Sequence, residues 1–156
     1  TGIPKAISIR HKSISNFCHS NLYNGYDIGP GSLVGQIGAI TFDMCVSDVF
    51  ACLSWQGTLL LPVQNDFIPV LKLCDQAVLT PSFLSKLDHS EFKNLKRIIV
   101  GGEALQTSLV NNWTPNRTLV NGYGPAEATL CSSTTTIRPN KPITIGKPIP
   151  NTVQYI

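Results

Sequence analysis

The sequence predicts an α/β protein, a layered sheet-and-helix core with a largely parallel sheet. Three observations lead there. Short β-like runs alternate with helical stretches along the chain. The 156 residues, 42% of them apolar, suit one domain and exclude a disordered chain. No repeat, low-complexity tract or linker interrupts the pattern. In such sheets, the turns that follow strands hold ligands; here they are FDM, TPS, VGGE and NGYGPAE.

Each element has its own signal. HKSISNFCHSNLY (11–23) spaces Ile14, Phe17, Cys18 and Leu22 at helical intervals, and Asn24-Gly25 closes the helix. LVGQIGAI (33–40) is a short apolar run with two glycines, expected as a strand. MCVSDVFACLSW (44–55) carries Val46, Val49, Phe50 and Leu53 on one helical face, with Gln56-Gly57 as the stop. TLLLP (58–62) reads as a buried strand ended by proline. FIPVLKL (67–73) predicts a helix, QAVLT (76–80) a strand, and PSFLSKL (81–87) a helix with Pro81 in its first turn. LKRIIVGGEAL (95–105) predicts a strand, a glycine turn and a helix running to Trp113. RTLVNGYGPAEATL (117–130) repeats that plan: strand, glycine-proline loop, helical start. SSTTTI (132–137) and TVQYI (152–156) are β-rich.

Charge narrows the function classes. Charged residues make up 13% of the chain, about half the usual share, which suggests a surface normally covered by more protein. The net charge is +3, and Lys93, Lys96 and Arg97 form the only basic knot, so no nucleic-acid footprint is expected. Five cysteines without CxxC or Cys/His ligand spacing read as buried thiols in a reducing compartment. TGIPKAISIR lacks the apolar segment of a signal peptide, and no apolar run approaches the roughly 20 residues that span a bilayer. The expectation is a soluble, cytoplasmic chain without a membrane partner.

Four loops can carry chemistry, each with a plainer alternative. TGIPKA (1–6) could bring backbone donors and Lys5 onto a phosphate, or be only a turn; it lacks the glycine spacing of a Walker loop. Gly101-Gly102-Glu103 could let a flat ring lie against the backbone, or make a tight turn. NGYGPAE (121–127) combines an amide, an aromatic ring and a carboxylate, the parts a magnesium nucleotide needs, although Glu127 could equally favour a helix start through the dipole. In FDMCVSD (42–48), Asp43 sits among apolar residues, either as a helix cap or as the partner of a substrate cation such as an α-ammonium.

Taken together, these loops resemble the core motifs of the adenylate-forming (AMP-binding) superfamily, specifically adenylation domains of nonribosomal peptide synthetases. TGIPKA is similar to the tail of the phosphate loop, followed by His11 in IRHKSISN. ITFDMCVSDVFACLSWQGTLLLP resembles the fourth motif, NGYGPAEATL the fifth and IGKPIPNTVQYI the sixth, with LTPSFLSKL and IIVGGEAL as the connecting sheet segments. The resemblance covers essentially the whole chain. It implies one partial adenylation domain over 1–156, truncated at both ends and lying within the large N-terminal subdomain.

What the resemblance implies can be assigned by residue. Lys5 covers the ATP phosphates, and Glu127 ligates Mg2+. Gly101, Gly102 and Glu103 border the adenine, with Asn121 on its exchangeable edge and Tyr123 and Gly124 against it. Asp43 pairs with the amino group of the substrate. Met44, Ser47, Ser82, Ile99, Gly101, Gly122, Leu130 and Cys131 line the side-chain pocket. Ala6 stands where the family usually has glycine, and Ala126 where threonine is commoner, which removes one hydroxyl donor to phosphate. The implied activity is formation of aminoacyl-AMP from ATP, then transfer to the phosphopantetheine arm of a peptidyl carrier domain beside condensation domains. Small residues, hydroxyls and apolar walls suggest a medium-to-large neutral amino acid. An aryl- or acyl-CoA ligase has no use for the Asp43 carboxylate. The motifs also suit an aminoadipate-reductase-type domain, or an inactive fragment with only a structural or binding role. The isolated fragment is expected to be inactive.

Overall fold

A computed structural model describes residues 6–20, 22–23 and 25–155. Lys5 and most of its loop lie outside the described residues. The sheet has seven strands: β1 (Leu33–Gly35), β2 (Thr58–Leu60), β3 (Gln76–Leu79), β4 (Arg97–Val100), β5 (Thr118–Tyr123), β6 (Ser133–Thr136) and β7 (Lys147–Pro148). They lie in the order β2-β1-β3-β4-β5-β6-β7, the first five parallel and the last two pairings antiparallel. In register, Ala77 stands beside Ile98, Ile98 beside Leu119, and Val78 beside Ile99.

Strand side chains alternate between the two faces of a sheet, and here each face is covered. Ala77, Leu79, Ile98, Val100 and Leu119 belong to one buried cluster, with α3 (Ile68–Leu73), α4 (Pro81–Leu84) and α5 (Thr107–Trp113). Val78, Ile99 and Val120 belong to the other, with α1 (His11–His19) and α2 (Asp43–Ser54). Burial on both faces explains why RIIV and QAVL read as unbroken apolar runs.

The strand order places the site. From β1 the chain crosses to β2 at one side and then returns to β3 on the other, so β1 and β3 flank a reversal of winding. A crevice at the carboxyl ends of the strands beside such a reversal is the expected ligand site in an open α/β sheet. The segments leaving β1 and β3 are 36–42 and Thr80, which lead into α2 and α4.

Several elements differ from the sequence reading. The strand expected over 33–40 ends at Gly35, where the Gln36 side chain turns back to donate to the Gly38 carbonyl. The helix expected over 11–23 ends at His19, and Leu22 and Tyr23 lie exposed beyond it. After β4 no helix forms before Thr107, because Gly102 adopts φ +81° and Glu103 is tied to α4. The helical start at 126 is a single 3-10 turn, Ala126–Ala128, stopped by left-handed Thr129 (φ 63°). TVQYI forms no strand among its described residues. Asn151 (φ 59°) turns the chain, and Val153 and Tyr155 are exposed, with no sheet to pack on. The last strand is instead Lys147–Pro148.

In α2 the boundaries agree with the expectation, but the face does not. The helix buries Cys45, Ser47, Asp48, Ala51 and Cys52, whereas Phe50 and Leu53 point outward. All five cysteines are free and buried, and burial pushes the Cys52 and Cys131 thiols up to about 11.

Candidate active site

Two cavities meet at the carboxyl ends of the strands. The first, about 300 Å³, lies between the first turns of α2 and the ends of β3, β4 and β5. Asp43, Met44 and Ser47 enter it from α2, Ile99 and Gly101 from β4 and its exit, Gly122 from β5, and Leu130 and Cys131 from the segment before β6. Tyr26, Val78 and Thr80, which sequence reasoning did not single out, complete it. Asp43 is the first residue of α2, and the position before it is Phe42, with no side-chain cap bond. Its carboxylate is therefore not the cap of this helix, and it lines the cavity half-buried.

The second cavity, about 620 Å³, is bounded by 102–105, 121–125 and 143–145. Asn121 is buried, and its Nδ2 donates to the Thr144 carbonyl at 2.9 Å, which leaves the amide oxygen as an acceptor. Tyr123 is half exposed at the cavity edge. The two cavities share Gly102, Glu103, Gly122 and Gly124. Their common wall is thus mostly glycine. A Cβ at Gly101 would sit 2.9 Å from the Gly122 carbonyl oxygen, and one at Gly124 would sit 2.7 Å from the Ser132 nitrogen. Backbone meets backbone here, and no side chain fits between.

Glu103 is fixed rather than free. Ser82 donates to it twice, from its backbone N at 3.0 Å and from its Oγ at 2.8 Å. Ser82 itself is exposed and outside the first cavity, so the structure separates it from the other expected pocket residues; Thr80 stands in its place. Glu127 lies elsewhere again. It is exposed on the 3-10 turn and borders a wide polar groove with Arg10, Lys12 and Asn16. Thr129 and Leu130 follow with φ 63° and 73°. Left-handed backbone is costly for a β-branched residue, and this turn puts Glu127 and Thr129 in the groove while Leu130 enters the first cavity.

One buried group stands apart. Asp48, one turn along α2 from Met44, is 1% exposed, and neither carboxylate oxygen has a hydrogen-bond partner. Burial pushes its carboxyl up to about 8, and the nearby Ile37 and Gly38 amides offset only part of that.

The AMP-binding enzyme family model matches residues 1–156. This chain belongs to the AMP-binding enzyme family. Within that family it is similar to adenylation domains of nonribosomal peptide synthetases. It is 38% identical over 159 residues to nonribosomal peptide synthetase 5 of Aspergillus fumigatus and 36% identical over 159 residues to synthetase sirP of Leptosphaeria maculans. All of the chain is covered in both matches, but it spans only 7% of the length of each relative. Among solved structures it is similar to PA1221, a synthetase protein containing adenylation and PCP domains, at TM-score 0.84 and 26% identity, covering 96% of this chain and 33% of that one. It also resembles AB3403, a four-domain synthetase bound to AMP and glycine, at TM-score 0.81 and 27% identity, covering 96% of this chain and 12% of that one. The chain thus shares their α/β fold, and among its described residues no helix is long and apolar enough to cross a membrane.

Proposed function

We propose that this chain holds ATP and a neutral α-amino acid on opposite sides of the glycine wall and joins them as aminoacyl-AMP. The observation that carries the reading is that wall: a largely apolar cavity that Asp43 enters from α2 abuts a second cavity across Gly102, Gly122 and Gly124, and the Glu103 carboxylate on that wall is already held by Ser82. Asp43 pairs with the α-ammonium and directs the substrate carboxylate toward the shared wall. The carboxylate oxygen bonds to the α-phosphorus, the bond to the β-phosphate oxygen breaks, and pyrophosphate leaves. No protein nucleophile is needed, so the work is positioning and charge neutralisation.

In the second cavity the Asn121 oxygen accepts from the adenine amino group, Tyr123 and Gly124 lie against the ring, and Gly101, Gly102 and Glu103 border it. Ser82 serves this arrangement by fixing Glu103. Lys5 contributes to the phosphates in the same reading. Magnesium is commonly held by one or two carboxylates plus substrate phosphates. A lone Glu127 fits that donor set, and among the described residues no three His, Cys, Asp or Glu side chains converge to make a protein cage. Bound there, Mg2+ would offset phosphate charge.

The same reading makes 1–156 one partial adenylation domain of a cytoplasmic synthetase. Its product passes to the phosphopantetheine thiol of a peptidyl carrier domain, with condensation domains alongside. A similar solved protein contains adenylation and PCP domains, which supports the carrier partner.

Amino-acid-dependent ATP–pyrophosphate exchange by the full-length protein tests the proposal. Asp43→Ala should lower kcat/KM by about two to four orders of magnitude, the scale of orphaning a buried charge at about 3–5 kcal/mol. Exchange within a few-fold of wild type would remove Asp43 from substrate binding.

A further inference from the structure

The turn that leaves β4 walls both cavities, and it is held from one side. From Gly101 to Gln106 the chain runs without helix or strand, and Gly102 takes φ +81°. Residues 102–104 are exposed, and Leu105 is the first to reach the core. Among the described residues, 102–105 make two hydrogen bonds, both through the Glu103 carboxylate and both from Ser82. Oε2 accepts from the Ser82 backbone N at 3.0 Å, and Oε1 accepts from Ser82 Oγ at 2.8 Å.

Thr80 orients Ser82 in turn. The one proton on Ser82 Oγ is spent on Glu103, so toward Thr80 Oγ1, 3.2 Å away, Ser82 can only accept. The Thr80 hydroxyl therefore donates to Ser82. Its oxygen accepts from the Phe83 N at 3.2 Å, as the cap of α4. A directed chain of protons thus runs from Thr80 through Ser82 to Glu103. Its ends lie on different sides: Thr80 lines the amino-acid cavity and not the nucleotide cavity, whereas Glu103 lines both.

We infer that Ser82, its proton directed by Thr80, is a positioning residue for the nucleotide: it fixes the turn at 102–104 and so sets ATP affinity from the amino-acid side of the wall. This inference rests on the adenylation reading of the two cavities. Neither hydroxyl needs to touch ATP. A turn held by charge-assisted bonds keeps its shape in the empty site, which leaves less ordering to be done when the nucleotide binds. Without the Ser82 proton one carboxylate oxygen loses its donor, and the exposed turn gains freedom that binding must remove. The effect falls mainly on ATP. The nucleotide cavity takes all of 102–105, while the amino-acid cavity takes 101–103 among walls built by α2 and the strands.

The test is pyrophosphate exchange and calorimetric ATP binding by the full-length protein. In Ser82→Ala, KM and Kd for ATP should each rise about tenfold, the scale of one hydrogen bond to a charged group. KM for the preferred amino acid and kcat should stay within about threefold of wild type, and Ser82→Thr should restore ATP binding. Thr80→Val should raise KM for ATP by about threefold alone and by nothing further in the Ser82→Ala background, because both changes break one chain. Loss of the α4 cap by itself would leave KM for ATP unmoved. If Ser82→Ala does not fold, Ser82→Cys keeps the size with a weak donor and should raise KM for ATP likewise. ATP binding within about twofold of wild type in the folded variant, or equal losses for ATP and amino acid, overturns the inference. If wild type binds ATP but exchanges pyrophosphate with no amino acid, the adenylation reading fails, and the ATP Kd of Ser82→Ala still decides whether Ser82 positions the nucleotide. Wild type that binds no ATP overturns both.

Discussion

Helices α2 and α5 pack on opposite faces of the same sheet, yet they bury opposite kinds of residue. Helix α5 buries Leu109, Val110 and Trp113; Phe92 lies beside the Trp113 ring, and the Arg117 guanidinium sits 5.2 Å above it. Helix α2 buries Ser47 and Asp48 among small residues and turns Phe50 and Leu53 outward, 51% and 60% exposed. The α5 side is a core that hydrophobic burial explains. The α2 side carries a cost, the buried Asp48 carboxyl, that hydrophobic burial does not explain. Where a layer borders a ligand cavity, cavity shape and hydrogen bonding decide the inward residues, and stability is left to the opposite layer.

The largest expected effect is on the α2 side. The Asp48 carboxyl lies near 3.8 when unfolded and at about 8 when folded, so the folded chain holds the proton more tightly. Its contribution is intact below about pH 4 and is lost as pH rises through about 8, a swing of about 6 kcal/mol. Thermal unfolding from pH 4 to 9 should therefore show stability falling with pH in wild type, and a flatter profile in Asp48→Asn. Parallel profiles would mean that Asp48 is paired in the folded protein.

Trp113→Ala sharpens the other half of the comparison. It should destabilise by about 4 kcal/mol, the scale for emptying a buried indole site, as a lowered denaturation midpoint. Exchange kinetics per folded molecule should stay unchanged, because Trp113 lines neither cavity. A specific loss of exchange without loss of stability would break the division of labour.

The same contrast shows what the sequence could reveal. On the α5 side, RIIV and the helix ending at Trp113 were legible because continuous apolar runs match double-sided burial. The extent of α2 was equally legible from its length and the Gln56-Gly57 stop, but helical periodicity chose the face of Val46, Val49, Phe50 and Leu53, since it weighs apolarity and sees no cavity. Asp43, Met44, Ser47, Ile99, Gly122, Leu130 and Cys131 came together as the motifs implied. Ser82 did not, because its hydroxyl is bound to Glu103, a contact across 21 residues that no local pattern encodes. Tyr26 escaped because it precedes β1, outside every motif, and enters the cavity only through the packing of α1 and α2. The two-residue β7 contains Pro148 and has no apolar run to announce it.

The central claim is that one ligand spans both cavities across the glycine wall. Hydrogen–deuterium exchange on the full-length protein with a non-hydrolysable aminoacyl-adenylate, the acyl group taken from its preferred amino acid, tests this most directly. The account predicts simultaneous slowing of exchange at residues 43–47, at 101–105 and at 121–124. Protection confined to 101–105 and 121–124, with 43–47 exchanging as in the free protein, would contradict it.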